Sequence, residues 1–430
     1  MTDTATELQT SMAGATITGS ARAEAFYVRV SGFDRPGTLS GLLGILGSCN
    51  AKISDIEQIT IRHRLILGLI VELPADSECD IRHDIFKELL FFAWENGMQI
   101  EFEVVDTKHS KQKPTYAVTL LGAQLTAKDL QAATAVISDW GGNISRVVRL
   151  SRYPVFSYEL HVQGGDLQNM RKHLLATAAS HPNLDVAFQV EGIIRRAKRL
   201  MAMDMDSTLI QDEVIDLLAA EAGCLDEVSA ITASTLEGEM DFAESLRQRV
   251  ARLEGLEQEA LDRVWQRLRL AAGAKTFLRV LRRLGYQTAI VSGGFTFFAE
   301  KLAKQLKINH IYANQLEIVG GRLTGKVLEP IVDREGKATF LTELAQREAI
   351  PIPQTVAIGD GANDLDMLEA AGLGIAFCAK TAVQRAADTS LNVPFLDAVL
   401  FILGVSREEI EAADAKDGIM NNRHPIPSIN

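Results

Sequence analysis

The chain has 430 residues, enough for two or three ordinary domains, and 47% of them are hydrophobic, enough for several cores. A formal net charge of −12 leaves little concentrated positive charge for a nucleic-acid surface, and the longest apolar runs, such as 65–71, are far too short to span a bilayer. The four cysteines, Cys49, Cys79, Cys224 and Cys378, form no CxxC pair, which argues against structural zinc or a disulfide framework and for a reducing cytoplasm.

Residues 1–22 are rich in Thr, Ala and Ser, with no basic start and no apolar core, and are expected to be a disordered tail rather than a signal peptide. Two similar blocks follow. In the first, strand 25–30 leads to helix 39–49, a hairpin of strands 53–61 and 65–73 about Arg62-His63-Arg64, helix 81–94 and strand 99–105. In the second the order recurs as strand 116–121, helix 129–140, strands 144–152 and 155–162 about Tyr153-Pro154, helix 167–178 and strand 184–190. Both read βαββαβ, a ferredoxin-like unit, and repetition at a period of about 90 residues predicts tandem domains over 23–107 and 114–192.

Between the first strand and helix lies Gly32-Phe33-Asp34-Arg35-Pro36-Gly37. It resembles the strand–helix turn of the ACT domain, a regulatory module that commonly binds amino acids. The resemblance implies an amino-acid effector held near Asp34 and Gly37, with serine the obvious candidate, and a homodimer formed through paired modules. Pro-Gly also accounts for the turn without any ligand. Block two carries Gly122-Ala123-Gln124-Leu125-Thr126-Ala127-Lys128 instead, without the Asp-Arg-Pro-Gly turn, so a purely structural, dimer-forming role competes with ligand binding there. The basic stretch Arg195-Arg196-Ala197-Lys198-Arg199 reads as a solvated linker and strand start.

The apolar run Leu200-Met201-Ala202-Met203 ends in Asp204-Met205-Asp206-Ser207-Thr208, two carboxylates where a buried strand should stop. A parallel sheet places its chemistry at such ends, and two acids side by side call for a compensating cation, for which oxygen ligands favour Mg²⁺. A second apolar run ends in Ser292-Gly293-Gly294 and reads as strand, tight turn and helix start, where Ser292 and the Gly293 N–H could hold phosphoryl oxygens. Lys337 stands before a helix expected to open near Thr339, a position that weakly suggests an anion partner. A third strand, Val356-Ala357-Ile358, delivers Asp360 between glycines, followed by Asn363 and Asp364.

These four segments, in this order, resemble the four motifs of the haloacid dehalogenase-like (HAD) phosphatase superfamily over residues 199–412, followed by a polar tail at 413–430. The fold expected is α/β: a HAD-like Rossmannoid parallel sheet with a helical cap insertion, preceded by two ferredoxin-like, ACT-type domains. About eighty residues separate the first two motifs, too many for one crossover helix. Helical patterning at 212–222, 225–237, 242–253 and 261–268 fills a cap at about 211–272.

The resemblance implies Asp204 as nucleophile and Asp206 as general acid and base, with Ser292 and Lys337 sharing phosphoryl charge. It implies Mg²⁺, with Mn²⁺ an alternative, held by the Asp204 carboxylate, the Asp206 main-chain carbonyl and Asp360, with Asp364 binding through water or orienting the other ligands. The cap resembles that of the phosphoserine phosphatase branch. There Glu213, one turn into its helix, would bind an ammonium, Arg249 a carboxylate, Phe242 would pack on the substrate, and Asn363 would lie near the phosphate. The implied reaction is hydrolysis of phosphoserine, ending L-serine biosynthesis under amino-acid feedback. Another small phosphomonoester, transfer of phosphate to another alcohol, and a non-catalytic amino-acid sensor are the alternatives. The intact Asp204, Asp206, Lys337 and Asp360 speak against the last.

Overall fold

The computed structural model describes residues 25–73, 79–105, 113–236 and 240–419. The expected tail at 1–22, the end of the cap helix expected at Glu237 and residues 420–430 lie outside the described residues. The chain divides into two units, residues 1–112 and 113–430.

In the first unit β1 (Ala25–Phe33), β2 (Lys52–Ile61), β3 (Arg64–Glu72) and β4 (Gln99–Val105) form an antiparallel sheet in the order β2-β3-β1-β4. Helices Thr38–Ser48 and Cys79–Glu95 complete the βαββαβ unit. Period-two patterning turns Phe26, Val28 and Val30 of β1 into a core with Leu67, Leu69 and Leu42. On the opposite face Arg29 is exposed, as is Ile66, 48% accessible. The β2–β3 hairpin closes through Arg62 and His63, both with positive φ, as a two-residue turn matched to strand twist requires. Gly37 has φ 90° at the N-cap of Thr38–Ser48, a left-handed conformation that suits glycine without invoking a ligand.

The second unit opens with the repeat: β5 (Thr115–Gly122), β6 (Asn143–Ser151), β7 (Phe156–Gln163) and β8 (Asp185–Val190), ordered β6-β7-β5-β8, with helices Ala127–Asp139 and Leu167–Ser180. Where block one has its Pro-Gly turn, Thr126 here caps the helix in a reciprocal box with Asp129. Strands β5, β7 and β8 of this sheet are largely buried on both faces, whereas the edge strand β6 is mostly exposed. Val118 and Leu120 face their own helices, whereas Leu121, Leu150, Val155 and Ala187 join the core of the domain that follows. Full burial of each of the Leu and Val side chains is worth about 1.5–3 kcal/mol. The Asp185 carboxylate accepts hydrogen bonds from the Asn392 main-chain N–H and Nδ2 (both 2.7 Å), and Gln189 Nε2 donates to the Ile402 carbonyl at 2.8 Å.

The basic stretch departs from its expected solvated state. Residues Ile193–Arg196 form a helical turn, Arg195 is buried, and it pairs with Glu159 of β7 and with Glu191. Lys198, also buried, donates to the Pro353 and Gly372 carbonyls. Local sequence pattern saw only charge; apart from Glu191, the partners come from β7 and from residues more than 150 positions away.

Seven strands form the second sheet, β12-β11-β10-β9-β13-β14-β15, from β9 (Leu200–Met203), β10 (Gln287–Phe295), β11 (His310–Val319), β12 (Arg322–Leu328), β13 (Thr355–Gly359), β14 (Gly374–Phe377) and β15 (Thr389–Leu391). All pairs are parallel except β11–β12. Helices Val214–Ala222, Leu225–Leu236, Phe242–Ala251 and Glu259–Arg267 make the cap between β9 and β10. Its two stems pair: Ile210 bridges Leu270, the Gln211 N–H donates to the Arg269 carbonyl, and Arg269 forks onto Asp212. The last described helix, Arg407–Lys416, runs past the limit expected at 412. Among the described residues no helix is long and apolar enough to cross a membrane, and Cys49, Cys224 and Cys378 are free thiols.

Candidate active site

All four residues of β9 are buried, as a central strand covered on both faces demands. Met203 pairs with Ile290 on one side and Ile358 on the other. That register delivers Asp204, Ser292 and Asp360 to one edge of the sheet, where the strand order reverses about β9 and ligands of such sheets bind.

Asp204 is buried, and its Oδ1 accepts from the Met205 N–H at 2.8 Å. Lys337, fully buried, lies 3.0 Å from Asp204 Oδ1 and 2.6 Å from Asp364 Oδ1. The other Asp364 oxygen accepts from the Gly361 N–H at 3.0 Å. Thr208 Oγ1 donates to Asp360 at 2.9 Å. Carboxylate oxygens of Asp204, Asp360 and Asp364 lie within 4.8 Å of one another. Asp364 thus joins this group directly. The Asp206 side chain is not among these three; its Oδ1 accepts from the Val214 N–H at 3.4 Å, at the start of the first cap helix.

The electrostatics describe a site short of positive charge. Burial, then the charge of Asp364, pushes the Asp204 carboxyl well above its usual range. Burial, then Glu213 and Asp204, does the same to Asp206. Asp360 is pushed up to about 7 by burial and Asp364, against the Thr208 hydrogen bond. Burial alone would lower the Lys337 ammonium, but the Asp204 and Asp364 carboxylates hold it above its ordinary value. Three all-oxygen ligands with one lysine between them suit a hard divalent cation, whose charge would let them ionise together.

Three local expectations change. The Ser-Gly-Gly segment is not a turn. β10 continues through it to Phe295, with a register break against β11 between Val291 and Phe295, and the helix begins only at Thr296. Close approach explains its glycines: a Cβ on Gly293 would stand 2.7 Å from Phe242 Cζ, and one on Gly294 2.7 Å from Asp206 Oδ2. Lys337 lies inside Arg334–Arg347, which Asp333 caps, so the helix starts before Thr339 and the lysine points to buried carboxylates rather than to solvent. Glu213 is the N-cap of Val214–Ala222 rather than one turn in, because Asp212 is drawn to Arg269 across the stem.

Residues 201–369 match the haloacid dehalogenase-like hydrolase family, and residues 24–103 and 114–189 each match an ACT domain family. The phosphoserine phosphatase of Streptomyces coelicolor is 47% identical over 391 residues, which cover 90% of this chain and 94% of that one. The chain belongs to the phosphoserine phosphatase family. Phosphoserine phosphatase SerB2 of Mycobacterium tuberculosis is 44% identical over 400 residues, 91% of this chain and 95% of that one. The solved structure of the probable phosphoserine phosphatase from Vibrio cholerae, unliganded, matches with a TM-score of 0.53 at 34% identity, over 72% of this chain and 91% of that one.

Within this phosphoserine phosphatase fold the cap residues gather over the strand ends. The Phe242 ring lies on Gly293. Arg249 feels the charges of Glu213, Asp216 and Asp206, which offset part of the burial that lowers its pKa. Asn363 folds back over Gly361. Sequence reasoning passed over Ser207 and Thr208. Ser207, with φ 54°, donates to Glu213 Oε1 at 2.6 Å and so ties the first motif to the cap. Both lie next to Asp206 in the sequence, so position was the available signal, but a hydroxyl carries no charge to mark it.

Proposed function

We propose that this chain hydrolyses O-phospho-L-serine to L-serine and phosphate in the cytoplasm. The carrying observation is the placement of a carboxylate, Glu213, and a guanidinium, Arg249, within each other's field and that of Asp206. An amino-acid head group needs this pair: an anion for its ammonium and a fork for its carboxylate. Phe242 closes over the apolar part between them.

Asp204 attacks phosphorus in line, the P–O bond to the serine oxygen breaks, and an aspartyl-phosphate forms. Asp206, whose raised pKa keeps a proton available, gives it to the departing oxygen. It then takes a proton from the water that attacks phosphorus, which releases phosphate and frees Asp204. Lys337, the Ser292 hydroxyl and the Gly293 N–H hold the phosphoryl oxygens, with Asn363 beside them. Asp204, Asp360, Asp364 and the Asp206 carbonyl would hold Mg²⁺, or Mn²⁺, which supplies charge neutralisation at the phosphoryl group. In the regulatory half, serine would bind near Asp34 and Gly37, and the modules would pair into a homodimer.

The test is phosphate release from a panel of phosphomonoesters with Mg²⁺ and with chelator. A metal-dependent preference for phosphoserine is expected. Preference for a sugar phosphate would overturn the roles of Glu213 and Arg249, and no release from any ester would overturn the reaction.

A further inference from the structure

The two phosphoryl-binding elements are tied together by a buried amide outside all four motifs. Asn314 of β11 is fully buried. Its Nδ2 donates to the Gly293 carbonyl at 2.8 Å, and its Oδ1 accepts from the Val332 N–H at 2.8 Å. Val332 immediately precedes Asp333, the cap of the Lys337 helix. The partners fix the amide's orientation, because a carbonyl can only accept and an N–H only donate.

The Gly293–Gly294 peptide is thereby held at both ends, its carbonyl by Asn314 and its N–H by Ser292 Oγ at 2.9 Å. A hydroxyl has one proton to donate and two lone pairs. With the Gly294 N–H on a lone pair, the Ser292 proton is left to point elsewhere. We propose that Asn314 is a positioning residue that sets the Ser292 hydroxyl as a donor to the phosphoryl group while fixing the start of the Lys337 helix. An amide offers a donor and an acceptor on one planar fork at any pH, so Asn serves two backbones at once. The inference rests on the phosphoryl-binding roles proposed above.

The experiment is steady-state phosphoserine hydrolysis by the full chain and by Asn314→Ala, Ser292→Ala and the double variant. Asn314→Ala is expected to lower kcat about 10–100-fold, as loss of an orienting hydrogen bond does, with KM nearly unchanged because the head-group residues are untouched. The double variant is expected to lose far less than the product of the single losses. Losses that multiply to within about twofold mark independent sites and would overturn the inference, as would wild-type kcat in Asn314→Ala. Should that variant not fold, Asn314→Leu enters the same cycle: it fills the volume of the amide but offers neither a donor to the Gly293 carbonyl nor an acceptor to the Val332 N–H, and the same coupled loss is expected. No turnover by the wild type would overturn the functional reading and this inference with it; turnover with independent losses overturns this one alone.

Discussion

Gly293→Ala probes cap closure directly. An added Cβ would stand 2.7 Å from Phe242 Cζ and 3.5 Å from its two Cε atoms, and no nearer neighbour lies elsewhere. Carbon atoms rest at about 3.5–4.0 Å, so the overlap is about 1 Å. Overpacking of this kind costs about 1–3 kcal/mol. Phe242 belongs to the cap and Gly293 to β10, so the cost falls on the closed state. At about 1.4 kcal/mol per tenfold, kcat/KM for phosphoserine should fall about 5- to 150-fold, while the melting temperature stays close to wild type. Adding Phe242→Leu to Gly293→Ala should recover part of the loss, because the smaller side chain vacates the contested space. Wild-type kinetics in Gly293→Ala, or a double variant no better than it, would refute the reasoning.

Two further perturbations concern the joint between the repeat and the catalytic domain. Arg195→Ala leaves the buried Glu159 with His161, 3.1 Å from its other oxygen, as its remaining charge partner, which should cost up to about 3 kcal/mol in chemical denaturation, whereas Arg196→Ala, at an exposed pair, should cost less than about 1 kcal/mol; equal losses would show that the buried pair has no special weight. Asp185 is pushed up to about 6 from 3.8, mainly by burial, against hydrogen bonds from Asn392 and Val393. Its unfolded form therefore ionises first, and the protein loses stability as pH rises from about 4 to about 6, by about 3 kcal/mol at 1.36 kcal/mol per unit. Asp185→Asn lacks this term, so its stability relative to wild type should climb by that amount across the window; a pH-independent difference would refute it.

What the sequence carried well was anything written in apolar periodicity and its interruption. The buried run before Asp204 and the run before Asp360 announced strand ends, and the two βαββαβ blocks followed from alternation and turn residues. What it hid depends on partners distant along the chain. Arg195 looks like a solvated charge until Glu159 is folded beside it. Lys337 looks like a helix-start misfit until Asp204 and Asp364 surround it. Ser292-Gly293-Gly294 reads as a turn by composition, yet its glycines answer to Phe242 and Asp206, which local propensity cannot see. Asn314 is a single amide in an ordinary strand, and nothing beside it marks it.

The paired stems of the cap bear on how such a protein can be rebuilt. The chain enters the cap past Leu209 and comes out of it at Ala271 along hydrogen-bonded neighbours. A short turn joining 211 to 269 would span no distance that the chain does not already span, and would leave the order of β9 and β10 as it stands. The insertion is therefore an exchangeable cassette: head-group recognition can be transplanted or replaced while the carboxylates and lysine beneath it keep their places.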